Sequence, residues 1–431
     1  MGVRMVRWRP GRRNPVVSAF LERPAFDERA EAVARRVLAD VRANGDRAVC
    51  RYVRRFDGAD LRPSDFRVSA ADLARAEKQV KPAFRSAVKE AHRRIAAFAR
   101  AGMRRNWSMA TPRGGRLGEQ FMPLDRVGVC VPGGAAPLAS TALMTVTFAR
   151  VAGVREIVAC TPCGRDGRIN PVLLYALKVA GATEIYKVGG IQGVGLMAYG
   201  TRTVRRVQKI VGPGGMFVTA AKRQVYGHVA LDLVAGPSEI AVLADDSADA
   251  RQVAADLLSQ AEHGTGWEKA LLVTPSARLA ESIRRELGVQ AATLSRQQAI
   301  RKVTKNGMLV VVVPGLEAGM ELCNRFAPEH LELMVRKPGS WLKRVRCAGA
   351  VFVGPWSPES AGDFAAGPSH VLPTGGAAAL FSGLMVDDFR RRTSFIAFNR
   401  ADLWDALPII EAFGQIEGLD AHSRSARIRF E

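Results

Sequence analysis

The sequence predicts an α/β protein: two successive Rossmann-like parallel-sheet domains with helical extensions at both ends. Three observations carry this expectation. Apolar runs of strand length, each ending in Gly or Pro, alternate with helix-length amphipathic stretches. The strand–helix unit recurs every 25–30 residues or about that, which is the spacing of a βαβ crossover and hence of a parallel sheet. The chain of 431 residues is long enough for two such bodies.

Residues 1 to 122 read as mostly helical. DERAEAVARRVLADVRANGDRAVCRYVRRF carries an apolar stripe at Ala34, Val37, Leu38 and Val41. The first strand set is RVGVCVPG (126–133), EIVACTP (156–162), EIYKVGG (184–190) and QKIVGPG (208–214). Helices are expected between these runs over 138–154, 170–182, 192–201 and 216–226. A second set follows: EIAVLADD (239–246), KALLVTPS (269–276), MLVVVVPG (308–315) and GAVFVGP (349–355). Its helices fall at 249–263, 277–287 and about 316–323. Beyond 380 the pattern dissolves into short pieces and a tail. Neither half has a GxGxxG after its first strand; the nearest run is Gly128-Val-Cys-Val-Pro-Gly-Gly-Ala, and Walker A is absent.

Composition excludes several classes. Apolar residues are 48% and charged residues 24%, and Gly plus Pro is 41 + 22 = 63 of 431, which argues against disorder and low complexity. No apolar stretch reaches transmembrane length, and the basic N-terminus lacks the apolar region of a signal peptide, so a cytoplasmic protein without a membrane partner is expected. Six cysteines are too sparse for a disulfide framework. The one CxxC, Cys160 and Cys163, lacks a second pair for zinc. The net charge is +22, of which +15 lies in residues 1–120 (28 basic, 13 acidic). The arginines are spread over amphipathic stretches without a nucleic-acid-binding motif, so solvated helix faces are the expected reading.

The chemistry concentrates at histidines. His92 and His228 read as structural. The other four lie near carboxyl side chains: Glu262-His263, Glu329-His330, Asp363 with His370 seven residues on, and Asp420-Ala-His422. Such pairing suits both a metal-bound and an acid–base imidazole. Gln260 and His263 stand at i and i+3, so one helix face would present both as neutral donors.

The segments IVGPGGMFVTAAKRQVYG, DLVAGPSE, AADLLSQAEHG, FAPEHLEL, AGAVFVGPWSPESAGDFAAGPSHVLPTGG and EGLDAH resemble the histidinol dehydrogenase family, in the family's order. The resemblance runs from about residue 30 to His422. It implies one zinc ion per subunit held by Gln260, His263, Asp363 and His422. It implies Glu329 and His330 as the acid–base pair, and substrate contacts from Ser238, His370 and Glu417 beside the metal ligands and His330. L-histidinol would be oxidised to L-histidine through L-histidinal with two NAD+. The family forms homodimers with intertwined subunits, which would make Glu417 and His422 act across the dimer. Two alternatives stay open: a related enzyme oxidising another zinc-chelated alcohol, and a zinc-binding protein without turnover.

The departures from the family pattern lie on the cofactor side. Cys130 stands where members usually carry Tyr, Gly215 where they carry Asn, and Ser369 replaces the Asn of GPNH. Gln192 is retained. Gln192, Cys130 and Gly215 are the positions that the resemblance places at the cofactor. The expected division is an arm (1–28), a first domain carrying metal and catalytic residues (29–128 with 240–380), a cofactor-side domain (129–239), and a tail (381–431) completing the partner's site.

Overall fold

The computed structural model describes residues 2–22, 27–133, 137–233, 236–263 and 266–431. Gly134 and Ala135, part of the nearest approach to a glycine fingerprint, lie outside the described residues. The strands in chain order are β1 (Arg4–Arg7), β2 (Trp107–Ala110), β3 (Arg116–Pro123), β4 (Arg126–Cys130), β5 (Glu156–Cys160), β6 (Glu184–Tyr186) and β7 (Lys209–Val211). There follow β8 (Ala230–Leu231), β9 (Glu239–Ala244), β10 (Lys269–Thr274), β11 (Met308–Val312), β12 (His330–Met334), β13 (Ala350–Val353) and β14 (Arg390–Ala397).

Two parallel sheets form, ordered β6-β5-β4-β7-β8 and β1-β11-β10-β9-β12-β13. Counted within each set from β4 and from β9, both run 3-2-1-4-5, the doubly wound order, with the direction of winding reversing beside the first strand. The central strands β4, β9 and β12 are buried along their whole length, as strands covered by helices on both faces must be. Alternate residues of β9 feed opposite cores. Ile240 and Val242 pack with Leu257 and Ile283, whereas Ala241 and Leu243 pack with Phe20 and Phe326.

Three expectations change. β1 lies in the segment read as helical and pairs with β11 at the edge of the six-stranded sheet. β12 is a central strand, and its polar His330 and Glu332 had masked it. The tail is ordered: β14 pairs antiparallel with β3, β3 pairs with β2, and the helix Arg400–Ile416 follows.

The packing also differs from the expected division. The helices Glu28–Phe56 and Pro82–Gly102 join the core of the five-stranded sheet, not that of residues 240–380. Ala34, Val37, Leu38 and Val41 of the first helix sit in one core with Val194 and Leu196. Residues of the N-terminal arm complete the six-stranded body instead: Val3, Trp8, Val17 and Phe20 pack there. The apolar stripe announces that a helix is buried but not against which sheet. Among the described residues no helix is long and apolar enough to cross a membrane.

Candidate active site

The chemical groups gather at the amino ends of the six-stranded sheet. His330 begins β12, Glu239 begins β9, and Glu329 immediately precedes β12. The helix Ala250–Ala261 returns antiparallel to β9, so its C-terminal Gln260 arrives at the same end. Open α/β sheets usually bind ligands at the carboxyl ends of their strands, so this site is on the opposite rim.

His330 is the centre of the group, 3% exposed. Its Nδ1 lies 3.1 Å from the Glu239 carbonyl and 3.2 Å from Gln260 Oε1. A carbonyl can only accept, so the Nδ1 proton is committed and the ring's lone pair is at Nε2. Nε2 is buried, has no hydrogen-bond partner, and sits 4.0 Å from Asp363 Oδ1. Burial lowers the His330 pKa to about 4, against which the Asp363 charge works. The imidazole is therefore neutral at pH 7 with a free basic nitrogen facing the cluster.

Carboxyl groups surround it. Glu329 Oε2 accepts from the Glu239 N–H at 3.0 Å, and burial, reinforced by Asp363, Glu239 and Glu359, pushes its pKa well above the usual range. Burial likewise raises Glu359 and Asp363. Glu359 Oε1 is 3.6 Å from His330 Nδ1, and Glu359 Oε2 accepts from Ser259 Oγ at 2.5 Å. Among the described residues no Lys or Arg pairs with Glu329, Glu359 or Asp363. His330, Glu359 and Asp363 each bring one donor atom within 4.8 Å of the others.

The residues expected from sequence divide three ways. Glu329, His330, Gln260, Asp363 and His370 are brought together. His370 Nδ1 lies 3.9 Å from Asp363 Oδ1, and its Nε2 is 3.0 Å from Thr141 Oγ1, on the helix Ala139–Val151 that follows β4. That contact joins the carboxyl rim of one sheet to the amino rim of the other. Ser238 stands at the edge, directly before β9, its carbonyl accepting from Lys269 N.

His263 stands at the edge of the cluster, where its charge bears on His330, Glu359, Asp363 and His370. The helix ends at Ala261, and His263 lies in the following turn, exposed, while Gln260 is fully buried. Glu417 and His422 are exposed on the tail, which within one chain packs on the β2–β3 hairpin: Arg113 pairs with Asp405 at 2.5 Å, and Asn399 donates to the Arg113 carbonyl. A single chain therefore leaves them outside this cluster.

Sequence reasoning did not find Glu359, Glu332 or Thr141. Glu332 had a signal: His330 and Glu332 stand at i and i+2 of an otherwise apolar strand, hence on one face. Glu359 and Thr141 had none, since only the fold brings them near His330 and His370.

The cofactor-side positions lie at the carboxyl ends of the five-stranded sheet. Cys130 ends β4 and is buried; Gln192, in the first turn of the helix Gly190–Tyr199, is fully buried; Gly215 caps the helix Met216–Val225. Gln192 Nε2 donates to Asp57 Oδ2 at 3.3 Å, leaving its Oε1 buried without a partner. Burial raises Asp57 to about 6. The Thr161 hydroxyl, just past β5, is also buried and unpartnered.

Comparison with known proteins identifies the family. A sequence profile of the family described as histidinol dehydrogenase matches residues 22–430. The histidinol dehydrogenase of Moorella thermoacetica is 47% identical over 404 residues, covering 94% of this chain and 95% of that protein. That of Heliobacterium mobile is 43% identical over 96% of both. The crystal structure of histidinol dehydrogenase from Elizabethkingia anophelis superposes with a TM-score of 0.93 at 33% identity, covering 99% of this chain and 98% of that one. The chain belongs to the histidinol dehydrogenase family of oxidoreductases.

Proposed function

We propose that the protein oxidises L-histidinol to L-histidine through L-histidinal, using two NAD+ and one zinc ion per subunit. The observation that carries the reading is the buried, partnerless lone pair of His330 Nε2 among carboxyl groups that, among the described residues, have no Lys or Arg partner, in a chain of this family. The donor set suits a divalent cation. Buried carboxyl groups without a basic partner are costly, and fully buried Gln260 beside them keeps an amide nitrogen without a partner, so the polar site is incomplete as it stands. Gln260, His263 and Asp363, with His422 of the partner subunit, would hold zinc. A zinc ion held there would supply Lewis acidity that polarises the bound substrate and makes its hydroxyl more acidic.

The side chains then divide the work. His330 Nε2 takes the hydroxyl proton while the carbinol hydride passes to NAD+. Glu329 takes a proton from the water that adds to the aldehyde, and a second hydride transfer gives the carboxylate. Burial, reinforced by the negative neighbours, disfavours the Glu329 carboxylate; with a cation held among them the carboxylate would be favoured and Glu329 could serve as the base. Ser238, His370 and, from the second subunit, Glu417 would orient the substrate.

Purified protein is expected to hold one zinc per subunit and to reduce NAD+ when given L-histidinol. The variant His263→Asn should lose most of the metal. Equal zinc in both proteins, measured by metal analysis, would place the ion elsewhere.

Dinucleotide binding is assigned to the carboxyl rim of the five-stranded sheet, where Gln192 Oε1 and the Thr161 hydroxyl await partners. A Cβ at Gly215 meets nothing within 4 Å, so Gly215→Asn has room for the family's amide. One added hydrogen bond is worth about 1 kcal/mol, so KM for NAD+ should fall roughly five- to tenfold with histidinol KM unchanged. Cys130 is already core-packed, so Cys130→Tyr should overpack at a cost of about 1–3 kcal/mol. Unchanged NAD+ kinetics in a folded Gly215→Asn would remove Gly215 from the cofactor site.

A further inference from the structure

Lys222 and Asp232 form an ion pair that the chemistry above does not use, and both side chains are almost wholly enclosed, at 2% and 1% exposure. Lys222 Nζ donates to Asp232 Oδ1 at 2.5 Å and to the Gly212 carbonyl at 2.9 Å. Asp232 Oδ2 accepts from the Gly212 N–H at 2.7 Å. One residue thus has its backbone donor and acceptor taken by the two ends of a single buried pair. Gly212 has φ +104°, and a Cβ there would collide with the Cys130 carbonyl oxygen. Its conformation is one that a side chain would not tolerate.

The placement gives the pair its meaning. Gly212 is the first residue past β7, beside the point where the winding of the five-stranded sheet reverses, and it opens the run Gly212-Pro-Gly-Gly215. Lys222 stands on the helix that this run enters, and Asp232 just beyond β8, the neighbouring strand. Loop, helix and strand are therefore tied at one backbone unit. Burying such a pair brings a desolvation cost that two apolar side chains would avoid, so stability alone does not account for it.

We infer that Lys222 and Asp232 are positioning residues that hold the Gly212–Gly215 run in the shape that receives NAD+, and so set its KM rather than the rate of chemistry. The inference rests on the proposed cofactor site at this rim. The double variant Lys222→Met/Asp232→Leu removes both charges together and leaves no unpaired ion in the core.

In that variant, amide hydrogen exchange over residues 211–216 should accelerate. KM for NAD+ should rise about tenfold or more, while histidinol KM, zinc content and kcat at saturating NAD+ stay within about twofold. Unchanged exchange in a folded variant would overturn the anchoring. Faster exchange with unchanged NAD+ KM would overturn the link to the cofactor, and Gly215→Asn then separates the two failures. If Gly215→Asn shifts NAD+ KM, the cofactor site stands and only the inference falls; if it does not, the site itself is misplaced. Should the apolar pair fail to fold, Lys222→Gln/Asp232→Asn, whose reach to the Gly212 carbonyl is one atom shorter, is measured in the same way. Wild-type exchange and KM in that variant would equally overturn the proposal.

Discussion

His330→Asn is expected to lower kcat by about two to four orders of magnitude while zinc content holds, because general-base assistance contributes on that scale and His330 is not assigned as a ligand. Burial at 3% exposure leaves little room for water to substitute as base, and Asn offers no lone pair of comparable basicity at Nε2. Glu329→Gln should behave differently. It retains an oxygen for the Glu239 N–H, so the site keeps its shape, but it cannot take a proton from water. Oxidation of histidinal should slow more than the first hydride transfer, measured by supplying each substrate separately. Equal slowing of both halves would withdraw the water-activating role, and loss of zinc from His330→Asn would make His330 a ligand.

Two inactive variants should restore each other. If His422 reaches the partner's site, a heterodimer of His263→Asn and His422→Asn contains one site with both histidines intact and one with neither. Random pairing after subunit exchange should then recover about a quarter of wild-type activity. The tail has the surface for such an exchange: Trp404, Ile409, Phe413 and Ile416 are exposed on Arg400–Ile416, and Phe364 is exposed beside Asp363. Mass analysis would verify that subunits had mixed. No recovered activity in a mixed population would place His422 in its own subunit's site, and full activity of His422→Asn alone would place it outside any site.

Legibility followed the physics of each element. The runs that became β4, β5, β9, β10 and β11 could be read because central parallel strands are apolar on both faces. β12 escaped because His330 and Glu332 break its apolar run. The tail strand escaped because its residues are mostly exposed, so burial imposes no alternation on RRRTSFIA. At the site, Glu329, His330, Gln260 and Asp363 were carried by motifs. Glu359 was not, because a carboxyl 29 residues from His330 becomes its neighbour only when Ser259 and the backbone beyond β13 close around it.

The sequence by itself determined most of the alternation of strands and helices, the doubled α/β plan and the side chains that are candidates for the chemistry, since periodicity and motif chemistry are local properties of the chain. The tertiary structure alone decided which sheet the helices of residues 28–102 cover, because an apolar stripe carries no address. It decided that Glu329, His330, Gln260, Asp363 and His370 meet at the amino rim of one sheet, against the carboxyl rim of the other. It also decided which nitrogen of His330 is free. That last choice depends on the carbonyl of Glu239, 91 residues away in the chain and 3.1 Å away in space.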